Sequence, residues 1–191
     1  SLVAPGFAVV AIENEDFHAP LKFYRMEPQT LILSAVAVPA GQEILIYTEL
    51  LSRRELKTGV QEKRHFTATV RLAAKAPKAS KLKFTAPTAE EMAIVADDIY
   101  KIYFHGPAYQ VLESVQVAGD QAIGLLAENL PANANPANAP ELIAPRLVEF
   151  CFQTAGVWEI HTKQQMALPL AIGRVTAYKQ EAEAKGRLYA I

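Results

Sequence analysis

The sequence PRLVEFCFQTAG, residues 145–156, decides the fold, because it predicts a long helix at the centre of a sheet. Pro145 stands at the first position of that helix, where the missing N–H costs nothing. From Leu147 to about Gln165 the chain has no proline and a single glycine, so the helix can be long. Apolar residues surround the segment instead of forming one stripe. We therefore predict that residues 145–165 form a mostly buried helix wrapped by a curved antiparallel sheet.

Two polar residues share one face of this otherwise apolar helix. Glu149 and Gln153 are four positions apart, and Gly156 continues the same ridge. A carboxyl group flanked by Val148 and Phe150 would lose part of its hydration, which favours the protonated form that a general acid needs. The same spacing also fits a solvated glutamate on the outer face of the helix. The helix alone does not decide between these two interpretations.

A second motif, YFHGPAYQ at residues 103–110, ends the preceding element. Thr88 and Glu91 form a capping box, and apolar residues recur at helical spacing after it. We therefore predict a helix from residue 88 to the break at Gly106 and Pro107. Taken alone, the motif is typical of a helix stop with aromatic core residues.

The first part of the chain is dominated by strand patterns. Residues 31–38 and 43–52 flank a short turn sequence, which predicts a hairpin. Residues 65–72 alternate between polar and apolar side chains, so we expect a sheet with one buried face. This alternation places His65 toward solvent.

A stretch rich in alanine, lysine and proline divides the chain. Residues 76–87 have no sustained period and are interpreted as a linker between a first, incomplete half at residues 1–75 and a second half at residues 88–191. Further strands of the second half are predicted at residues 111–117, 122–130, 172–179 and 188–191. Strands and one long helix together indicate an α+β class in which a sheet wraps a helix.

Composition excludes several functions. Nineteen basic and 20 acidic residues are scattered along the chain for a net charge of -1, so the sequence has no basic stripe for nucleic acid. The apolar runs are far shorter than a membrane span, so we expect no membrane insertion and a cytoplasmic location. No group of His, Cys or acidic residues has metal-ligand spacing, so we expect no metal.

The two motifs together resemble a known family. Gly-Pro-x-aromatic-Gln at residues 106–110, followed by Pro-x-Leu-x-acid-x-x-x-Gln at residues 145–153, is similar to the second half of polyketide synthase dehydratases. Pro20 and Leu21 stand where that family carries a Pro-Leu in its first sheet. The motif at residues 103–110 looks most like the dehydratase-like region at the end of a polyunsaturated fatty acid synthase subunit.

This resemblance implies a double hot-dog fold in which a histidine from the first half and a carboxylate from the second face each other across an acyl tunnel. The histidine would remove the α-proton, and Glu149 would protonate the leaving β-hydroxyl. Gln153 would orient the acid or the hydroxyl. The residues expected to bind substrate along the tunnel are His105, Gly106, Pro107 and Tyr109.

The resemblance also implies partners. The substrate, a 3-hydroxyacyl chain, would be carried on the phosphopantetheine arm of an acyl carrier protein, with no cofactor bound by this domain itself. Expected partners are that carrier protein and neighbouring domains of the synthase, and a homodimer is also compatible. Because the chain ends within a strand pattern, we expect the double hot-dog to be truncated at one or both ends.

Two departures from the family pattern leave three functions open. Glu149 replaces the usual aspartate, and none of the histidines fits the family pattern His-x-x-x-Gly-x-x-x-x-Pro. The first function is a 3-hydroxyacyl dehydratase, a lyase, with its catalytic histidine upstream of Ser1. The second is a non-catalytic, dehydratase-like module for acyl-chain binding, carrier docking or dimerisation. A hot-dog thioesterase ranks last, because the paired motifs favour dehydration.

His105 could line the site, or it could be a helix-end histidine that contacts terminal carbonyls.

Overall fold

Two antiparallel sheets, one in each of two units, form the fold. The computed structural model describes residues 4–23, 27–56, 58–80, 82–139, 141–178 and 186–191. The first unit comprises Ser1–Ala79 with Pro169–Tyr178, and the second comprises Ser80–Leu168 with Lys179–Ile191. The change from the first unit to the second at Ala79 lies inside the alanine, lysine and proline stretch. None of the described helices is long and apolar enough to cross a membrane.

The first sheet has five strands in the order β2, β3, β4, β1, β8. Their bounds are Ala8–Phe17 for β1, Thr30–Ala40 for β2, Glu43–Leu56 for β3, Gly59–Ala73 for β4 and Ala171–Thr176 for β8. The predicted hairpin is confirmed, since β2 and β3 pair from Thr30 opposite Arg53 to Ala40 opposite Glu43. Gly41 has a φ of 66° in the turn, a conformation that glycine adopts without steric cost.

One strand departs from the predicted division of the chain. The composition of the chain predicted that every residue from 88 to 191 belongs to the second half, but β8 pairs with β1 in the first sheet. A charge cluster at Glu13 accompanies this pairing, since its carboxylate accepts over 2.8 Å from Arg71 and over 2.6 Å from Arg174. These guanidinium groups, with the Arg71 hydrogen bond contributing most, lower the pKa of Glu13. Arg174 therefore ties β8 to β1.

The predicted solvent-facing position of His65 is wrong. Its side chain is buried, at 3% exposure. Its Nε2 atom lies 2.8 Å from the Ser52 hydroxyl, and its Nδ1 atom lies 3.0 Å from the Ala19 carbonyl. The pairing of β3 with β4 shifts register here, from Leu51 opposite Arg64 to Leu50 opposite Phe66, so the alternation of faces is interrupted at His65. The chain after β1 also bonds back to this point, with the His18 N–H donating to the His65 carbonyl over 2.9 Å.

The second sheet has four strands in the order β5, β6, β7, β9. Their bounds are Ile94–Val95 for β5, Leu112–Ala118 for β6, Gln121–Leu126 for β7 and Tyr189–Ala190 for β9. The hairpin between β6 and β7 was predicted.

The helix predicted from residue 88 is largely wrong, because α1 covers only Ala96–Ile99. The capping box does form, with the Thr88 N–H donating to Glu91 over 2.7 Å, but it closes a turn that leads into β5.

The long helix α2, Pro145–Lys163, packs on the second sheet. Its buried residues are Phe150, Gln153, Thr154 and Val157. Cys151 and Ala155 on the other side are exposed. The helix itself is confirmed, but the expected burial on all sides is not, because the described strands contact only one face. That face lies close to β7, since a Cβ added at Gly124 would overlap the Thr154 hydroxyl and approach a Phe150 ring carbon to 3.1 Å.

This close approach predicts the effect of adding one methyl group. Gly124→Ala should destabilise the second unit by about 1–3 kcal/mol, because the helix must move away from β7. Urea unfolding followed by the fluorescence of Trp158, the single tryptophan and part of α2, measures the change. Gly173→Ala is the matched control, since it is also in a strand and its added Cβ meets nothing within 4 Å. Equal midpoints for the two variants would show that the helix is not held this closely.

Candidate active site

Helix α2 brings Glu149 and Gln153 together as their spacing predicts. The Gln153 Nε2 atom donates to Glu149 Oε1 over 3.0 Å, one helical turn away. Gln153 is buried at 2% exposure, while the Glu149 side chain retains 28%. The glutamate is thus neither fully desolvated nor on an outer, solvated face. It lies half-buried at the edge of the helix–sheet interface.

His105 contacts the Glu149 carboxylate directly. Its Nε2 atom lies 2.9 Å from Glu149 Oε1, and its side chain is 18% exposed. The Phe104 ring stacks on the imidazole at 4.8 Å, and the Gln110 side-chain amide donates to the His105 carbonyl over 3.1 Å. Of the two roles left open for His105, this geometry supports one in the site, because the imidazole faces a carboxylate instead of helix carbonyls.

The hydrogen bonds around His105 indicate which nitrogen carries its proton. The Nδ1 atom is buried and has no hydrogen-bond partner among the described residues. A buried N–H without an acceptor costs more than a bare nitrogen lone pair, so the neutral ring with its proton on Nε2 fits best. In this form Glu149 Oε1 accepts from both His105 and Gln153.

The Gly-Pro motif contributes backbone to the site. Residues Pro107–Tyr109 form a single 3-10 turn, closed by the Tyr109 N–H donating to the Gly106 carbonyl over 2.9 Å. The Tyr109 carbonyl accepts from Gln153 Nε2 at 2.9 Å. Gly106 and Pro107 thus set the path of the turn, and Tyr109 reaches the site through its carbonyl. The tunnel that these residues were expected to line stays a prediction. Three pockets among the described residues of the second unit, of about 460, 400 and 190 Å³, are lined by other residues.

Two tyrosines that sequence reasoning missed complete the arrangement. The Tyr100 hydroxyl donates to Gln153 Oε1 over 2.8 Å and accepts the Leu112 N–H over 2.8 Å. The Tyr103 hydroxyl donates to the Gln153 carbonyl over 3.1 Å and fills the space beside Gly156, where a Cβ would overlap it. Their three-residue spacing just before the Gly-Pro motif was the available signal, since it places both rings on one side of a helical turn.

Burial changes the acidity of both tyrosines. Desolvation raises the pKa of Tyr100 to about 12, and the nearby Glu149 charge adds to the rise. Desolvation likewise raises the pKa of Tyr103 to about 12, with Tyr100 and Glu149 contributing. Both hydroxyls therefore stay protonated as hydrogen-bond donors to Gln153 at neutral pH.

The other histidines and the acidic residues do not extend this site. His161 is exposed in the last turn of α2, and His18 and His65 belong to the first unit. Within the described part of the chain, no three His, Cys, Asp or Glu side chains are arranged to hold a metal ion.

The two tyrosines should differ in their contribution to stability. Tyr100→Phe leaves the Leu112 N–H and the Gln153 side-chain oxygen without a partner, so we expect a loss of about 1–3 kcal/mol. Tyr103→Phe removes one bond to a carbonyl inside a helix, so the loss should be about 1 kcal/mol or less. Urea unfolding measured by Trp158 fluorescence compares the two variants. A larger loss for Tyr103→Phe would contradict the assigned roles.

The raised tyrosine pKa values also predict an alkaline loss of stability. Unfolded tyrosine loses its proton near pH 10.0, whereas Tyr100 and Tyr103 hold theirs to about pH 12. Their contribution is therefore complete below pH 10 and is lost as the pH rises toward 12, because only the unfolded state releases protons in that window. The urea midpoint measured from pH 9 to 12 should fall more steeply for the parent chain than for a Tyr100→Phe, Tyr103→Phe double variant. Parallel curves would rule out this linkage.

Residues 85–190 match a described protein family. The model of the polyketide synthase dehydratase N-terminal domain matches residues 85–190, which is more than half of the chain. The description of that family model names an N-terminal domain. In this chain the matched residues begin after the stretch Ser1–Ala79, which belongs to the first unit. A comparison with curated protein sequences gave no significant match.

Solved dehydratase domains share the fold of the chain. The domain from the CurF module of curacin polyketide synthase matches with a TM-score of 0.68 and 19% identity over 95% of this chain and 64% of that one. The CurH-module domain gives 0.67 and 17%, covering 94% and 63%, respectively. The RzxB dehydratase domain from Pseudomonas fluorescens gives 0.60 and 18%, covering 90% and 60%.

The length of the chain relative to these domains is also informative. It spans less than two thirds of each of the three, and at these identities the likeness concerns the fold. The hot-dog architecture implied by the two motifs is confirmed. Because the family model covers more than half of the sequence, the chain belongs to the polyketide synthase dehydratase family.

Proposed function

We propose that this chain carries the acid side of a 3-hydroxyacyl dehydratase site, with Glu149 as the general acid. A base removes the α-proton, and its electron pair forms the double bond between the α and β carbons. The bond from the β carbon to oxygen breaks, and the departing hydroxyl takes a proton from Glu149 and leaves as water. We assign the base to a histidine outside the residues of this chain, since none of its histidines fits the family pattern.

The observation that carries this proposal is the contact of both sequence motifs at one carboxylate. His105, from the first motif, and Gln153, from the second, lie 2.9 and 3.0 Å from Glu149 Oε1. Positioned hydrogen-bond partners hold a catalytic carboxyl within the narrow geometry that proton transfer needs. Nothing in the packing of a helix on a sheet requires three polar groups to converge in this way.

The pair formed by Glu149 and His105 takes up the proton that the acid needs. With a neutral imidazole and a carboxylate the pair is one proton short, so a proton must reach it before elimination. A proton taken up by either partner can move to the other along the 2.9 Å contact. The pair can thus hold a proton that Glu149 delivers to the hydroxyl and recover it from the α-proton base or from water.

The substrate and its partners follow from the family. We propose that the 3-hydroxyacyl chain arrives on the phosphopantetheine arm of an acyl carrier protein, within a cytoplasmic synthase of the polyketide or polyunsaturated fatty acid type. His105, Gly106, Pro107 and Tyr109 would form the tunnel wall beside Glu149. No cofactor bound by this domain is needed, because elimination transfers only protons.

A non-catalytic role remains the second candidate, and one observation favours it. Glu149 Oε1 already accepts from two donors of its own unit, so its contacts are accounted for by hydrogen bonds that hold the fold together. A domain that kept these bonds for stability would still bind acyl chains or dock a carrier protein. Its site would then hold the substrate without turning it over.

The test is turnover of a carrier-bound 3-hydroxyacyl substrate by the synthase segment that contains this chain. Glu149→Gln keeps the shape and the hydrogen bonding of the side chain but removes the transferable proton, so the rate should fall by about a hundredfold or more. Glu159→Gln is the matched control on the same helix, since Glu159 bonds the Ala167 N–H and should leave turnover near that of the parent.

Each outcome separates the two candidates. Full turnover by Glu149→Gln, with unchanged unfolding, rejects Glu149 as the acid. An inactive parent that still binds the substrate, as measured by protection of the acyl carrier protein from exchange, favours the non-catalytic role.

A further inference from the structure

A serine and a histidine form a buried hydrogen-bonded pair in the first unit. Ser52 on β3 and His65 on β4 are exposed by only 6% and 3%. The Ala19 carbonyl can only accept a hydrogen bond, so His65 Nδ1 carries the ring proton and donates to it over 3.0 Å. In the neutral ring His65 Nε2 then accepts from the Ser52 hydroxyl at 2.8 Å. The serine hydroxyl is therefore hydrogen-bonded to an unprotonated ring nitrogen, which is a base.

The local strand geometry aims the histidine at the serine. The pairing of β3 with β4 shifts register between Leu50 and Leu51, and the shift skips His65. An extra residue of this kind, a β-bulge, turns its side chain out of the regular alternation, and such bulges are frequent beside active sites. The His18 N–H donates to the His65 carbonyl over 2.9 Å, which holds the following Ala19 carbonyl against the ring. Backbone contacts thus fix the orientation of the imidazole.

The pair forms part of the wall of a polar cleft of about 290 Å³. Lys63 lies directly opposite Ser52, and opposite residues of an antiparallel pair place their side chains on one face, about 5 Å apart at Cβ. Gln61, two residues earlier on β4, lines the same cleft. A molecule in the cleft therefore meets the serine hydroxyl and side-chain N–H donors together. A pair that served only to fill the sheet would need no such access.

We propose that Ser52 is a nucleophile, that His65 is its general base, and that the cleft accepts a carboxylic ester or thioester with a short acyl group. A serine hydroxyl becomes reactive when a base within hydrogen-bond reach is itself oriented by a third group, and the Ala19 carbonyl is that group. The small volume and polar lining of the cleft suit an acyl group of a few carbons better than a long chain. This activity does not involve Glu149.

The reaction transfers the acyl group to the serine and then to water. Ser52 Oγ forms a bond to the acyl carbon, the carbonyl π electrons move to its oxygen, and the hydroxyl proton passes to His65 Nε2. When the carbonyl forms again, the bond to the leaving alcohol or thiol breaks, and that group takes the proton from Nε2. Water attacks the acyl-serine in the same way, which releases the carboxylic acid and restores Ser52. Lys63 is on the face where its ammonium group can stabilise the transient negative oxygen.

The test treats the whole chain with two probes, p-nitrophenyl acetate as the ester and an alkyl fluorophosphonate as a reagent for activated serines. The fluorophosphonate should form a phosphonate ester at Ser52 with loss of fluoride, and peptide mass spectrometry locates the modified residue. Labelling should be lost in concentrated urea, because the serine and the histidine then separate. This result comes from the parent chain, so it does not depend on the folding of a variant.

Matched variants assign the ester hydrolysis. Ser52→Ala removes the nucleophile, and His65→Gln removes the base but keeps a hydrogen-bonding side chain, so each should lower the rate with p-nitrophenyl acetate by about tenfold or more. Ser34→Ala changes an exposed serine on the neighbouring strand β2 and should leave the rate unchanged. The circular dichroism spectrum of each variant is compared with that of the parent.

Three results would overturn the proposal. The first is a parent chain without a label at Ser52. The second is labelling of Ser34 to the same extent as Ser52, since an exposed serine reports only general reactivity. The third is an unchanged rate of p-nitrophenyl acetate hydrolysis in Ser52→Ala.

Discussion

The candidate active site depends on one buried amide. Gln153 donates to Glu149 and to the Tyr109 carbonyl and accepts from the Tyr100 hydroxyl, over distances of 2.8 to 3.0 Å. An amide at 2% exposure cannot exchange these partners for water, so each lost bond would leave a buried polar atom unpaired. Gln153 thereby couples the long helix, the Gly-Pro turn and the segment before it. The position of Glu149 follows from that coupling, because its carboxylate is held by the same amide.

Close packing of α2 against the second sheet brings the groups of this hydrogen-bond network within bonding distance. Helix α2 approaches the sheet closely where Gly124 leaves room for Thr154 and Phe150, and Gly156 leaves room for the Tyr103 hydroxyl. The Thr154 hydroxyl donates to the Phe150 carbonyl over 2.8 Å, so it brings no unpaired group into the interface. A helix held further out would place Gln153 beyond reach of Tyr100. Small residues at two contact points therefore support the polar network as well as the core.

Two expectations failed for the same physical reason, which is that pairing between distant segments overrode a local pattern. Helical spacing after Thr88 predicted one long helix, but Ile94 and Val95 pair with Val115 and Ser114 as a strand. Alternation along β4 predicted an exposed His65, but the pairing of β4 with β3 shifts register at that residue and breaks the alternation. Local periodicity assumes an uninterrupted element, and it does not report where pairing with a distant segment ends or shifts that element.

Sequence patterns were enough to predict the elements whose causes are local. The long helix follows from Pro145 and an uninterrupted run, the two hairpins follow from their turn residues, and the contact between Glu149 and Gln153 follows from the helical repeat. Only the tertiary structure brought His105 to Glu149, enclosed Gln153 between two tyrosines and moved β8 into the first sheet. These contacts join residues far apart in the chain, and they depend on strand register and on the depth of helix packing, which no short-range pattern encodes.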